Sequence, residues 1–287
     1  MSGDVSFVSR PWGQMAYSRM GSGQPLVLLH SLALSRCMWD LVSADLSVNR
    51  EVVAIDFRGH GCSGWDRRPF SVEDLAEDVV ALLDSLNLRR ADVLGMSMGG
   101  TVAVALASSR PERVEHLVLC DTTSWYGPQA PVAWEQRAVA AETTPREFQI
   151  PFQTDRWFGE RFRRQNPESV SALVGIFLQT PPAVHAQACR ALGAYDGRKA
   201  LGEITAATLV ITGGEDYATP PEMGEVLATG IPGATQQVWP GLRHFAIIES
   251  LKVRCTVAAH LAGEAIPPPT NDIDFCTSAL NMETVQP

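Results

Sequence analysis

Ala91-Asp92-Val93-Leu94-Gly95-Met96-Ser97-Met98-Gly99-Gly100 decides how the rest of the chain is read. A short apolar run of strand character leads into a serine flanked two residues away on each side by Gly95 and Gly99. Thr101-Val-Ala-Val-Ala-Leu-Ala-Ser-Ser109 then continues as a helix of small residues. A sharp strand-to-helix turn puts the residue at its apex into sparsely populated backbone angles, and side chains two positions to either side collide there, so glycine is needed at both. The same turn meets the demands of a serine nucleophile. A hydroxyl reacts weakly unless it is held exposed beside a base, with backbone N–H groups aimed at the oxyanion that forms. Ser97 is therefore the candidate nucleophile. The competing reading, a tight turn with an idle serine, lacks any reason for the strand before it and the helix after it.

Working outward, Met15–Arg19, Pro25–His30 and Glu51–Asp56 read as strands, the last two as nearly continuous apolar runs buried on both faces of a sheet. Met38-Trp39-Asp40-Leu41-Val42 with Leu46 suggests a helix between them. After the glycine-dense loop Phe57–Gly64, a helix starts at the N-cap Ser71, with Asp74 in the capping-box position; Val72, Leu75, Val79, Leu82, Leu83 and Leu86 form its apolar stripe. Val114–Cys120, Ala207–Thr212 and the shorter Gln236–Trp239 are further strands. Strands alternating with helices of this length predict a parallel sheet with helices on both faces. Between Asp121 and about Leu201 the strands stop, and Trp125, Tyr126, Trp134, Phe148, Phe152, Trp157, Phe158, Phe162 and Phe177 recur with helical spacing and frequent prolines. This segment reads as an inserted helical cap. Some of its aromatics belong to its own core; Trp134, Trp157 and Phe158 are the candidates for lining an apolar pocket over the serine. The division is residues 1–121 and 202–262 as an α/β core, 122–201 as the cap and 263–287 as a tail without helical or strand periodicity.

The bulk properties fit one large α/β domain with an insertion, or two small ones: 287 residues, 45% hydrophobic and 19% charged. A formal net charge of -9 disfavours nucleic acid and anionic membrane surfaces as partners, since both need clustered Lys and Arg. The first ten residues carry no apolar signal stretch, and no apolar run is long enough to cross a bilayer, so a cytosolic protein is expected. Cys37, Cys62, Cys120, Cys189, Cys255 and Cys276 are scattered, without zinc-ligand spacing, and read as free thiols; no phosphate-binding glycine loop is present. Neither a metal nor a cofactor is expected. The partner is a small-molecule substrate, and the sequence leaves room for a homo-oligomer.

A serine nucleophile needs a base, and the base an orienting carboxylate. His116 lies in a strand, His185 in the cap and His260 in a terminal helix, while His30 and His60 precede Ser97. His244, in the loop Gly241-Leu-Arg-His-Phe-Ala246 after the last strand, follows the chain order serine, acid, histidine expected for this kind of turn and is the favoured base, with His260 as its main rival. Asp216, in Thr212-Gly-Gly-Glu-Asp-Tyr-Ala-Thr-Pro220, follows a buried strand through a flexible glycine turn and is the favoured acid. Asp121, directly after the preceding strand, also satisfies the order and stays open as its competitor. The oxyanion donors are expected to be the N–H groups of Met98 and, from the loop His30-Ser31-Leu32-Ala33, of Leu32. Asp56, Arg58 and His60 read as a hydrogen-bonded corner beneath the site, and His30 as loop scaffolding.

With these residues assembled, the chain resembles the α/β-hydrolase superfamily, and within it the 3-oxoadipate enol-lactonases. The resemblance runs from about Trp12 to Leu261. It rests on Met38-Trp39-Asp40, Ile55-Asp-Phe-Arg-Gly-His-Gly-Cys-Ser63, Gly95-Met-Ser-Met-Gly99, Pro111-Glu-Arg-Val114, Leu117–Cys120, Trp134, Trp157-Phe158, residues 213–221 and the His244 loop ending in Glu249. It implies an α/β-hydrolase fold, a mostly parallel central sheet with helices on both faces and an inserted helical cap, and it implies Ser97, Asp216 and His244 as a catalytic triad. The chain departs from those lactonases at His30-Ser31, where they usually carry Asn-Ser, and in the tail after Leu261.

The expected activity is hydrolysis of a small carboxylic ester or lactone through an acyl-enzyme. The alternative is a cofactor-free oxygenase or lyase on the same fold, with His244 as general base; the His30-Ser31 start and Asp121 at a strand end make room for it. A third reading is a ligand-binding protein on the same scaffold. A carboxylate-bearing lactone would want a cationic pocket residue, for which the cap offers Arg137, Arg156, Arg161, Arg163 and Arg164.

Overall fold

The apolar runs read from the sequence become adjacent strands of one sheet in the computed structural model, which describes residues 4–270. In chain order the strands are β1 (Ser6–Arg10), β2 (Gly13–Gly21), β3 (Gln24–Leu29), β4 (Arg50–Ile55), β5 (Ala91–Met96), β6 (Val114–Cys120), β7 (Ala207–Gly213) and β8 (Thr235–Trp239). They lie side by side in the order β1-β2-β4-β3-β5-β6-β7-β8. β1 pairs antiparallel with β2 and β2 antiparallel with β4; every other pairing is parallel. All six residues of β5 are buried, as a strand covered by helices on both faces must be. β1 has no counterpart in the sequence reading. It is an edge strand whose inward side offers only Ser6, Val8 and Arg10, with Phe7 turned outward, so no apolar alternation announces it.

The helices are α1 (Ser43–Leu46), α2 (Val72–Ser85), α3 (Met98–Ser109), α4 (Ala130–Thr143), α5 (Arg146–Trp157), α6 (Glu160–Gln165), α7 (Pro167–Gln179), α8 (Pro182–Ala194), α9 (Pro221–Gly230), α10 (Ala246–Glu249) and α11 (Leu251–Leu261). The helix expected around Met38 is a 3₁₀ segment, Arg36–Leu41, followed by α1. α2 carries the capping box: Asp74 N–H donates to Ser71 Oγ at 3.1 Å, and Ser71 N–H to Asp74 Oδ2 at 2.8 Å. α3 is buried from Met98 to Ala107. Its small residues allow that depth: a Cβ at Gly99 would stand 2.1 Å from the Leu29 carbonyl oxygen.

α4 to α8 lie between β6 and β7, where the strands were expected to stop. A bridge between Trp125 and Asp196, and the Gly197 N–H donating to Ser124 O at 2.9 Å, close the base of this insertion. Several hydrogen bonds tie it to the loops beneath. Thr180 Oγ1 donates to Ala33 O at 2.9 Å, Phe245 N to Trp157 O at 3.1 Å, and Gly159 N to Glu249 Oε2 at 3.1 Å. On the opposite edge, buried Asp78 on α2 accepts from Trp12 Nε1 at 3.0 Å and Arg10 Nε at 2.9 Å, pinning the β1–β2 hairpin to α2. After α11 the chain runs without regular structure over β8, where Gln237 Nε2 donates to Pro267 O at 2.7 Å; the rest of the expected tail, 271–287, and Cys276 lie outside the described residues. Among the described residues no helix is long and apolar enough to cross a membrane.

Candidate active site

The loops after β3, β5, β7 and β8 meet at the carboxyl ends of the parallel strands, where open α/β sheets place their sites. Ser97 stands at the apex between β5 and α3 with φ 54° and ψ −118°, a sparsely populated conformation for any residue with a side chain. The turn is held from three sides. Ser97 N–H donates to Cys120 O at 3.0 Å, while its carbonyl accepts from Thr101 N at 3.0 Å and Thr122 Oγ1 at 2.6 Å. The paired glycines of the motif touch one another: a Cβ at Gly95 would lie 2.4 Å from the Gly99 carbonyl oxygen.

The turn aims Ser97 Oγ at His244 Nε2, 2.9 Å away, and His244 Nδ1 lies 2.8 Å from Asp216 Oδ2. With Nδ1–H donated to the carboxylate, Nε2 is left as the acceptor for the serine proton. Asp216 is itself held by the turn it begins. Its Oδ1 accepts from Ala218 N at 2.8 Å and Thr219 N at 3.1 Å, and its Oδ2 from Thr219 Oγ1 at 2.8 Å. Burial opposes ionisation of this carboxyl, but the charge and hydrogen bond of His244, with the Thr219 donors, outweigh it and hold Asp216 below the usual carboxylate range.

Asp121 takes a different place. Its Oδ1 accepts from Gly213 N at 2.8 Å and its Oδ2 from Ala246 N at 3.0 Å, so it ties the end of β7 to the loop carrying His244 and makes no hydrogen bond to the imidazole. Burial, followed by the nearby charge of Asp216, pushes its carboxyl well above the ordinary value. Two residues that the sequence reading did not single out as partners complete the loop. Thr219 Oγ1 stands 3.3 Å from His244 Nδ1 as well as bonding Asp216. Buried Glu249 accepts from Arg243 N at 2.8 Å and from Gly159 N at 3.1 Å, joining the His244 loop to the insertion; burial pushes its carboxyl up to about 8. Each acts through backbone N–H groups or a neighbour's carboxylate, and no spacing in the sequence announces that.

The Met98 N–H begins α3 and the Leu32 N–H lies in the loop after β3; neither has a backbone acceptor among the described residues. His30 anchors that loop from below, with Nδ1 donating to Ser31 O at 2.8 Å and Nε2 accepting from Phe57 N at 3.0 Å. Burial drives its pKa down to about 4. The corner beneath differs in one member from its expected form. Asp56 accepts from Arg36 N at 2.7 Å and Cys62 N at 2.9 Å, and His60 Nδ1 donates to Arg58 O at 3.0 Å. The Arg58 guanidinium, however, turns away to Asp78, whose buried carboxylate it helps to neutralise.

Of the pocket candidates, Trp134 lines a cleft of about 400 Å³ with Tyr126, Arg137, Arg156, Tyr217 and Ala218, beside the Asp216 turn. Trp157 and Phe158 do not line it. Trp157 stacks on Phe245 at 5.4 Å and Phe158 on Phe162 at 4.6 Å, packing the seam between the insertion and the His244 loop. The remaining histidines have other partners: His116 Nδ1 meets Asp92 Oδ1 at 2.8 Å, His260 Nε2 meets Ala207 O at 3.1 Å, and His185 faces Arg146.

Residues 24–251 match the family described as the alpha/beta hydrolase fold. A 3-oxoadipate enol-lactonase of Acinetobacter baylyi is 32% identical over 213 residues, 74% of this chain and 79% of that protein. A pimeloyl-[acyl-carrier protein] methyl ester esterase of Neisseria meningitidis is 30% identical over 236 residues, covering 76% of this chain and 85% of that one. Among solved structures, an enol-lactonase from Burkholderia xenovorans superposes with a TM-score of 0.85 at 31% identity, over 90% of this chain and 100% of its own. With a matched segment spanning the serine turn, the Asp216 loop and His244, the chain belongs to the α/β-hydrolase family.

Proposed function

We propose that the protein is a serine hydrolase that cleaves a small carboxylic ester or lactone through an acyl-enzyme. The observation that carries this reading is the continuous relay from Ser97 Oγ through His244 to Asp216, at 2.9 and 2.8 Å, built on a strained turn. His244 Nε2 takes the Ser97 proton as Oγ bonds to the carbonyl carbon, and Asp216 steadies the imidazolium that results. The carbonyl electrons move onto oxygen, where the amides of Met98 and Leu32 are the available donors. Each such donor is typically worth about 3 to 4 kcal/mol of transition-state stabilisation. As the tetrahedral intermediate collapses, His244 returns the proton to the leaving oxygen. In a lactone that oxygen stays attached as the far end of the acyl group. Water, deprotonated by His244, then repeats the attack and frees Ser97. The helical insertion serves as a cap over this site, with Trp134 in its cleft wall, while Trp157 and Phe158 support the His244 loop.

The relatives support the same chemistry, since a lactonase and a methyl ester esterase both resemble the chain at about a third identity or just below. The oxygenase or lyase reading loses its two supports: Asp121 is spent on backbone N–H groups, and His30 is held by Ser31 and Phe57. The test is turnover of a p-nitrophenyl ester and a lactone panel by Ser97→Ala. Loss of turnover to near background is expected, and activity equal to the unsubstituted protein would overturn the reading.

A further inference from the structure

Asp216 and His244 sit on two loops that are joined to one another at their sheet ends. Asp121 accepts from Gly213 N and Ala246 N, and the Glu215 N–H donates to Leu242 O at 2.9 Å. The same two loops also meet a single residue of the insertion. Tyr217, which follows Asp216, donates its hydroxyl to Asp155 Oδ2 at 3.0 Å, and Arg243, which precedes His244, brings Nη1 to Asp155 Oδ1 at 2.9 Å. That Nη1 also donates to the Asp155 carbonyl. One residue of α5 thus offers three acceptor oxygens to the immediate neighbours of Asp216 and His244.

Two further contacts close the group. Arg163 of α6 shares Asp155 Oδ1 at 3.0 Å, and the Arg243 guanidinium carbon stands 5.7 Å from the centre of the Tyr217 ring. Partial burial opposes ionisation of Asp155, but the hydrogen bonds of Arg243 and Tyr217, with the charges of Arg243 and Arg163, outweigh it and hold the carboxyl below its ordinary value. Burial and the bond to Asp155 push the Tyr217 phenol up, so it remains a donor at neutral pH. Tyr217 and Ala218 line the Trp134 cleft together with Phe152 and Arg156 of α5, which puts the group beside that cleft.

Exposure decides what such a group can do. The Asp155 side chain is 45% exposed and Tyr217 50%, and ion pairs in that setting add little to folding stability. Position is a different matter, because rate is sensitive to displacements that stability hardly registers. The other surface pairs of the insertion have no comparable reach: Arg164 and Glu160 both lie on α6, and Arg190 of α8 pairs with Glu135 of α4.

We infer that Asp155 is a positioning residue for the reaction: by holding Tyr217 and Arg243 on one carboxylate, it lets the insertion set the spacing of Asp216 and His244. This rests on the hydrolase reading and adds a residue to it. In Asp155→Asn the amide oxygen still accepts one donor, but the NH₂ group faces the other, so one loop is released. Asp155→Glu keeps both carboxylate oxygens on a longer stem.

The test measures p-nitrophenyl ester turnover per active serine, counted by fluorophosphonate labelling of Ser97, alongside thermal melting. Asp155→Asn is expected to lower kcat about tenfold with KM changed by less than about twofold, since a displaced triad loses rate rather than binding. Asp155→Glu should recover most of that loss. Tyr217→Phe removes one hydroxyl and should lower kcat about threefold; combined with Asp155→Asn it should cost less than the product of the two single effects, because both act through the same contact. Glu160→Gln, in the neighbouring surface pair, should leave kcat unchanged. Constant kcat per labelled serine in both Asp155→Asn and Tyr217→Phe, whatever their melting temperatures, overturns the positioning role alone. Absence of labelling in the unsubstituted protein overturns it together with the hydrolase reading.

Discussion

Asp216 and Asp121 follow neighbouring strands, and at the residue scale what separates them is the atoms they reach. Asp216 spends one oxygen on His244, Asp121 both on backbone N–H groups of Gly213 and Ala246. In Asp216→Asn an amide can face His244 Nδ1 and stabilise the wrong tautomer, so kcat should fall on the order of 10^4-fold with little loss of fold. In Asp121→Asn one of the two backbone donors meets an NH₂ group instead of an acceptor. That change should lower stability by about 1 to 3 kcal/mol and reduce turnover far less. Ester hydrolysis and chemical denaturation of both variants separate the roles, and the reverse ranking would show Asp121 to be the orienting acid. The chain order of Ser97, the acids and His244 was legible because each follows a strand. The choice between the acids was not, since both occupy the same kind of position and only three-dimensional placement distinguishes them. Thr219 was equally hidden, because it acts through a neighbour's carboxylate.

The element that carries Leu32 is a loop, and its shape depends on His30. With both ring nitrogens committed and the side chain fully buried, His30 is neutral in the fold, its pKa at about 4 against 6.5 for an unburied histidine. Above pH 6.5 the folded and unfolded chains bind no proton there and the packing contributes in full. As the pH falls from 6.5 towards 4, the unfolded chain takes up a proton that the native state cannot, and stability drops. At about 1.4 kcal/mol per unit the loss approaches about 3 kcal/mol by pH 4. His60, held down to about 3 by burial, acts in the same direction. His30→Gln should therefore melt lower than the unsubstituted protein at pH 7, yet lose less between pH 6.5 and 4. Parallel loss in both proteins would place the acid sensitivity elsewhere. The strands and α2 were legible because burial on both faces writes an unbroken apolar run, and the Ser71 capping box marks a helix start by its own chemistry. β1 and the 3₁₀ segment Arg36–Leu41 were not, the first being half exposed and the second too short for a period to register.

Across the whole molecule, one mostly parallel sheet brings four loops to a common edge, and the helical insertion is tied to the loops there by bonds from Thr180, Trp157 and Gly159 among others. The break in the strand pattern between Asp121 and Leu201 made the insertion visible in the sequence, whereas its aromatics could not be sorted into cleft wall and packed seam without knowing which helix faces which. Trp134 falls in the first set, Trp157 and Phe158 in the second. The proposed mechanism turns on a covalent intermediate at one oxygen. The most direct measurement is intact-protein and peptide mass spectrometry of the chain quenched early in turnover of a p-nitrophenyl ester. The account predicts an added acyl mass on the peptide containing Ser97, absent in Ser97→Ala. Turnover continuing with that peptide unmodified, or with the acyl group on another residue, would contradict it.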